Sequence, residues 1–574
     1  MTRKILPSNH NFAFVLLIAL LIVVGCVRVC STYSVFWQTW DEPFHIAAGM
    51  EWLDKGRYTY ERFHPPLARV MSALGPYLHG IKGWDNLNQS WYKVWDEGNA
   101  ILQFGGTYEY NLTLARIGIL PFFIIASLVV ALWAKNCGGI ITSLSATLLF
   151  TTLPPILAHT GFATLDMACA ALVTAALFAL TLWLNRPTLL RSCILGISIG
   201  LAILSKLPAI GFLVIAGSLI IAVYSIPFFR KSFTEKPVLP KFKQWMTASV
   251  VALLLCSLTI WAGYRFSLSP LLRPETSNYK VVNRVFGVDG PIHNIAYFVL
   301  ENTPVPAIEL LGGISDFLRN RNKPKVVYLL GDIRTEGQWY YYPILLLVKT
   351  PLPFIVLGAL GFFFVFKYAL IQRREEVRFL TPVVSVIGVL VVGMLGTINN
   401  GVRQILAVYP LLAIVAGYGV SKLLSFHKKF QFVALGLVTI LFSWQLISSF
   451  AAHPDYLPYF NELAKNHPEE IVVDSDLDWG QDLKRLALTL KNRGINQLAI
   501  KYNGSTGIDL NRFHLPAIQE LKPYQRETGW IAISIYCLKL GTDKPPYDQF
   551  SWLRDYQPVE KVGKSIWLYY IPKN

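Results

Sequence analysis

Two adjacent carboxylates, Asp41 and Glu42, stand in Trp37-Gln38-Thr39-Trp40-Asp41-Glu42-Pro43-Phe44-His45, just after a strongly apolar stretch. A carboxylate so placed can take the proton of an attacking hydroxyl, and general-base catalysis is worth roughly 10²–10⁴ in rate. The pair also suits a helix start, with Asp41 as N-cap and Pro43 in the first turn, where orphan N–H groups are satisfied. Asp166, in Gly161-Phe162-Ala163-Thr164-Leu165-Asp166-Met167, is the one acidic residue inside any long apolar run. Cations recur near such runs: His64 in His64-Pro65-Pro66-Leu67, Lys206 in Ser205-Lys206-Leu207-Pro208, Lys349 in Val348-Lys349-Thr350-Pro351, and Arg403 in Asn399-Asn400-Gly401-Val402-Arg403-Gln404. Carboxylates and cations together suit a cleft for an anionic lipid head group and a hydroxyl substrate, because cations stabilise charge developing on a leaving phosphate. Each cation alone suits a snorkelling interface residue. Asp41, His45 and His64 also form a conceivable metal set, although no ligand spacing there specifies one metal.

These residues need elements to position them, and composition says which. The chain has 574 residues, 53% hydrophobic and 15% charged, with a net charge of +17. Soluble domains carry about a quarter charged residues and hold ~100–150 residues, so a polytopic membrane protein is expected. Disorder, collagen and a disulfide scaffold are excluded. The basic excess lies between apolar runs rather than on a polar face, which argues against nucleic-acid binding.

A spanning helix needs about 20 apolar residues. Eleven runs qualify, near 12–30, 116–134, 139–157, 165–184, 190–205, 207–229, 245–266, 342–366, 379–398, 404–424 and 430–450. The first is expected to be a retained helix rather than a cleaved signal. The positive-inside rule puts the N-terminus in the cytoplasm: 17 Lys and Arg then fall on the inner side, against Lys206 and Arg403 in the short outer connections. Residues 1–450 form the membrane domain, with outer loops 31–115 and 267–341, and 451–574 forms an extracytoplasmic α/β domain. In that tail, strands are expected at 470–474, 497–502, 530–536 and 565–571, and an amphipathic helix over 480–493. Asp478 with Gln481 fits a capping box. Asp474, Asp476 and Trp479 are candidates for contact with a sugar or acceptor. On this topology Asp166 sits at the outer mouth of its helix. Placing Asp at a helix centre costs roughly 2.5–3.5 kcal/mol, and an intramembrane carboxylate is a functional candidate. The plainer role is a favourable contact with the helix dipole, about 0.3–1 kcal/mol.

The order of these residues carries a resemblance. A carboxylate pair early in the first outer loop, then His64-Pro65-Pro66-Leu67, then Leu165-Asp166-Met167, resembles the GT-C membrane glycosyltransferases of the protein O-mannosyltransferase and aminoarabinose transferase superfamily. Trp339-Tyr340-Tyr341-Tyr342-Pro343, Lys349-Thr350-Pro351-Leu352 and Asp474-Ser475-Asp476-Leu477-Asp478-Trp479-Gly480-Gln481-Asp482-Leu483 resemble its bacterial phospholipid-carrier-dependent branch. The resemblance implies a GT-C fold and transfer of a sugar from a polyprenyl phosphate to a protein, lipid or glycan acceptor on the outer face of the inner membrane. It implies Asp41 as base with Glu42 beside it, Asp166 as the second acidic position, and Lys206 on the donor phosphate. His64 stands where aminoarabinose transferases carry Lys, and Gln404 and Ala407 depart from the Arg-His-x-x-Pro-x-x-Pro pattern that Arg403 opens.

The residue types fit that chemistry independently: Asp41 takes the acceptor proton, Asp166 supports the acceptor side, and His64, Lys206, Lys349 and Arg403 surround the phosphate. The resemblance implies no required cofactor, and a divalent metal stays an open alternative. A transporter or flippase of lipid-linked sugars is the competing reading; it calls for polar or broken helices in inverted repeats near the midplane, and no clear repeat is visible.

Overall fold

The structure is a computed structural model that describes residues 9–84, 91–226, 242–271, 283, 287, 290–320, 325–370, 377–425, 428–465, 467–505, 516–542 and 544–572. It is mostly helical. In chain order the helices are α1 (Asn9–Cys30), α2 (Glu42–Met50), α3 (Leu67–Leu78), α4 (Trp91–Gln103), α5 (Tyr108–Ile117), α6 (Leu120–Thr151), α7 (Pro154–Thr160), α8 (Asp166–Asn185), α9 (Leu189–Ser205), α10 (Pro208–Ser225) and α11 (Phe242–Gly263). There follow α12 (Pro291–Asn302), α13 (Ile308–Asn320), α14 (Tyr341–Lys349), α15 (Leu352–Leu370), α16 (Leu380–Leu395), α17 (Val408–Leu424), α18 (Gln431–Ala451), α19 (Leu483–Asn492) and α20 (Ile535–Leu540).

Six continuous helical stretches among the described residues are long and apolar enough to cross a membrane, or seven if one bent pair is a single span. With three shorter apolar helices beside them, the chain reads as an integral membrane protein. Their outer faces are apolar: Val15, Leu132, Leu253 and Phe432 are exposed, as lipid-facing positions are. α17 is the reverse, with thirteen of its residues buried, so it forms the axis of the bundle. α6 is continuous by hydrogen bonding yet reverses direction. Gly139 has φ 80°, and Ser143 Oγ donates to Ala131 O at 2.7 Å, twelve residues back. A straight helix would hold those residues about 18 Å apart, so α6 is two antiparallel arms, at the break between the runs expected at 116–134 and 139–157.

The run expected as one helix over 342–366 is instead α14 and α15, bent by 117° across Thr350-Pro351. Pro351 lacks the donor a continuing helix needs and disfavours helical backbone at Thr350. Lys349 therefore ends a short helix rather than lying inside a long one.

Short ladders pair β1 (Leu268–Pro270) with β2 (Pro304–Pro306) and β3 (Val327–Leu329) with β4 (Asp332–Arg334). The tail holds a five-stranded mixed sheet from β5 (Gln497–Lys501), β6 (Ala517–Glu520), β7 (Gly529–Ser534), β8 (Glu560–Val562) and β9 (Ile566–Ile571), in the order β6-β5-β7-β9-β8. The strands expected near 497, 530 and 565 are present. That expected at 470–474 is absent: Pro468–Glu470 is a 3-10 turn, and the chain then coils so that Asp478 N donates to Val473 O and Asp474 O. The capping box also fails, because α19 starts at Leu483 and Asp478 instead accepts from Gly480 N and Tyr536 N.

The tail sheet and first loop share one hydrophobic core. Phe44, Ile46, Met50 and Ala73 belong to the same cluster as Leu483, Leu486, Ile500, Ala532 and Leu568. Two backbone bonds, Trp37 N to Gln481 O at 2.9 Å and Trp40 N to Trp479 O at 3.0 Å, fasten the segment before Asp41 to the tail.

Candidate active site

Asp41 is the residue before α2 and does not cap it with its side chain. Its Oδ2 accepts from Arg403 Nη1 at 2.6 Å, and the carboxylate keeps 25% exposure. Its other oxygen has no partner among the described residues, so Asp41 is an accessible carboxylate with a free face. Arg403 comes from the 3-10 turn Val402–Ile405 and its guanidinium carbon lies over the Trp479 ring, 4.2 Å from the centroid. Such a contact with a desolvated aromatic helps hold the guanidinium in place.

Glu42 sits in a closed arrangement. It is fully buried, pairs with Arg116 Nε at 2.8 Å and Nη2 at 2.9 Å, and accepts from Thr39 N at 2.7 Å and Ala163 N at 2.9 Å. Arg116 also donates to the carbonyls of Tyr33, Phe36 and Trp37. Glu42 thus fixes the backbone that presents Asp41 and the turn that precedes Asp166, with its acceptor capacity spent on four donors.

Asp166, at the first turn of α8, accepts from Lys206 Nζ at 2.7 Å; Lys206 donates also to Gln404 Oε1 at 2.9 Å. Lys206 sits between α9 and α10 because Pro208 starts a new helix there. Arg403 and Gln404 therefore bring the Asp41 pair and the Asp166 pair together as neighbours in one turn. Gln404 is thus a partner of Lys206, a role that no pattern of residue types or spacing pointed to.

His64 presents a buried Nδ1 without a partner, and its ring lies 5.6 Å from that of His45. Burial, followed by the Arg69 guanidinium, holds both imidazoles well below the usual histidine range. At neutral pH His64 is therefore uncharged. Arg69 is the buried cation of this loop: it pairs with Glu61 and donates to His45 Nδ1 at 3.2 Å and Tyr58 OH at 2.9 Å.

Lys349 is turned to the tail. Its Nζ donates to Leu457 O at 2.6 Å and Asp476 O at 2.8 Å, and lies over Phe460. Asp476 in turn accepts Val402 N with both oxygens at 3.1 Å. Asp476 therefore ties the loop bearing Trp479 both to Lys349 at the end of α14 and to the turn bearing Arg403. Asp474 accepts from Ser475 N at 2.6 Å, and burial pushes its carboxyl up to about 6 despite Arg403. The structure thus gathers Asp41, Asp166, Lys206, Arg403 and Trp479, while Glu42, Lys349 and Asp476 hold the surrounding backbone. His159, which sequence reasoning missed, is buried 6.0 Å from the Trp479 ring with Nδ1 unpartnered. Among the described residues no group of three or more His, Cys, Asp or Glu is arranged to hold a metal ion.

A cavity of ≈ 400 Å³ opens beside this centre, between α10 and α16 with α13 over it. Its walls are mostly apolar, including Leu207, Phe212, Phe317 and Val392, and Gln404 also lines it.

No protein-family model matches the sequence, and no curated protein matches it. Among solved structures the chain is similar to ArnT from Cupriavidus metallidurans bound to undecaprenyl phosphate, at TM-score 0.44 and 12% identity, over 96% of this chain and 97% of that one. It is similar also to the oligosaccharyltransferase of Archaeoglobus fulgidus in the apo form, at TM-score 0.40 and 14% identity, over 89% of this chain and 62% of that one.

Proposed function

We propose that this protein is a membrane glycosyltransferase that moves a sugar from a polyprenyl phosphate to an acceptor hydroxyl. The observation that carries the reading is the apolar cavity lined in part by Gln404, which binds Lys206 and lies one residue from the Arg403–Asp41 pair. An isoprenoid chain suits the apolar walls, and its phosphate would then meet Lys206 and Arg403 with the neutral His64 imidazole nearby.

In this reading donor binding releases the base. The donor's phosphodiester, a monoanion, competes with Asp41 for Arg403 and with Asp166 for Lys206, so the carboxylates lose their counter-ions as the donor seats. The second phosphate charge forms only as the sugar leaves. Freed from Arg403, Asp41 has both carboxylate oxygens open to the acceptor hydroxyl. It takes the acceptor proton as the hydroxyl oxygen attacks the anomeric carbon, and the bond from that carbon to the phosphate oxygen breaks. The electron pair leaves on polyprenyl phosphate, where Lys206 and Arg403 stabilise it. One displacement inverts the anomeric centre. Asp166 supports the acceptor side, and Asp474 and Trp479 line its approach from the tail.

The topology proposed alongside counts both arms of α6, the bent pair and the three shorter apolar helices as spans, giving eleven crossings. The N-terminus is then cytoplasmic and the site faces the outer side of the plasma membrane, with the acceptor a protein, lipid or glycan. The test is release of polyprenyl phosphate by pure protein given polyprenyl-phosphate hexoses or pentoses and hydroxyl acceptors. Asp41→Asn is expected to lower release at least about 10²-fold with expression unchanged and the protein still folded. Undiminished release would remove Asp41 as base.

A further inference from the structure

The opposite end of the bundle holds a second polar site, independent of glycosyl transfer. α8 begins at Asp166 and ends at Asn185, so its 20 residues separate the two by about 30 Å. A cavity of ≈ 130 Å³ lies against Asn185, where the first arm of α6, the ends of α8 and α10 and the turn before α16 converge. A single water needs only about 10–15 Å³ of such space.

Two sealed polar atoms on its wall lack partners: Nε1 of Trp133, a residue 0% exposed, and Oδ1 of Asn185. Three other polar groups there already donate, Thr181 to Leu177 O at 2.9 Å, Tyr224 to Thr181 O at 3.3 Å and the Cys137 thiol to Arg378 O at 3.5 Å. Arg378 completes the wall, and no carboxylate among the described residues pairs with its guanidinium. Arg191, the neighbouring cation, is spent on Leu182 O at 2.6 Å. One part of the wall therefore offers a cation and an N–H donor. Another offers an unfilled acceptor, close to the carbonyl ends of α8 and α10, which carry partial negative charge.

A plain anion satisfies only the first part and a plain cation only the second. We propose that this cavity seats the zwitterionic headgroup of an aminophospholipid. The phosphate lies on Arg378 and Trp133 Nε1–H, and the ammonium donates to Asn185 Oδ1. Free phosphoethanolamine shares that chemistry. Asn136, on the cavity wall, is exposed, so the cavity borders the surface there.

The test is native mass spectrometry of the full detergent-purified chain, titrated with phosphatidylethanolamine, phosphatidylcholine or phosphatidylglycerol. Phosphatidylethanolamine is expected to be retained about tenfold better than phosphatidylcholine, whose ammonium has no proton to donate. Arg378→Gln and Trp133→Phe, the latter keeping a ring without its N–H, are each expected to remove most of that preference. Melting temperatures without lipid confirm that both variants are folded. Competition by millimolar O-phosphoethanolamine supports a soluble ester as occupant, and failure to compete supports the lipid. The proposal is overturned if phosphatidylcholine binds as well, if phosphatidylglycerol displaces phosphatidylethanolamine, or if neither folded variant changes retention. That last result means the cavity holds water alone.

Discussion

Asp166 and Lys206 lie 40 residues apart and meet at 2.7 Å, with side chains 2% and 8% exposed. Breaking such a buried pair from one side strands the other charge and costs about 3–5 kcal/mol, whereas removing both together costs far less. Asp166→Asn and Lys206→Met are therefore expected to lower the melting temperature singly, and the double variant to recover much of the loss. Polyprenyl phosphate release is expected to stay abolished in all three. A double variant no more stable than the singles would deny the pairing, and one that regained transfer would restrict Lys206 to structure. Asp474 gives a second test, through pH. Burial raises its folded-state pKa from the ordinary carboxylate range to about 6, so the folded state holds the proton longer. The stability this contributes is complete below about pH 4 and is lost as pH rises through 6. Asp474→Asn stays neutral throughout, so its melting temperature is expected to gain on the wild type between pH 4 and pH 8. A difference that does not change with pH would contradict the burial of this carboxyl.

The elements show where sequence patterns suffice. Apolar runs are local properties, so the apolar helices were legible, and Pro208 marked the break at which Lys206 sits. The bend at Thr350-Pro351 was not, because the apolar composition continues across it. The strand expected at 470–474 failed for the same kind of reason: Ile471-Val472-Val473 has β-type side chains, but Val473 and Leu477 pack with Ile535 and Leu540 from a coiled segment. At the site, Asp41, Asp166, Lys206 and Arg403 could be chosen as ionisable groups at one membrane face. The partners that spend Glu42 and Lys349 could not, since Arg116 and Leu457 are 74 and 108 residues away from them. The groove between α10 and α16 is likewise a tertiary product. Ile210 lines it, so Ile210→Trp is expected to raise KM for a long-chain donor about tenfold, a loss near 1.4 kcal/mol. Its kcat should hold, as should both constants for a two-isoprene donor. Equal effects on long and short donors would place the chain elsewhere.

Over the whole molecule, the tail is part of the site rather than an attachment to it. It supplies Trp479 under Arg403 and carbonyl acceptors for Lys349, and its Gln481 and Trp479 carbonyls bind the strand of loop leading to Asp41. The first loop buries Phe44, Ile46 and Met50 in the same core as the tail sheet. Without the tail, that apolar face is exposed, and Lys349, now without both acceptors, is a buried ammonium that must be hydrated. A chain ending at residue 450 is therefore expected to insert in the membrane through its apolar helices, which depend on lipid rather than on the tail. Its first loop should lose its order. Limited proteolysis in detergent is the measurement: residues 31–115 should be cut at least about tenfold faster than in the full chain, as expected where local opening costs 1.4 kcal/mol less, and polyprenyl phosphate release should vanish. Equal protection of the loop in both chains would mean that it folds on the membrane helices alone, and that the shared core follows the positioning of Asp41 rather than causing it.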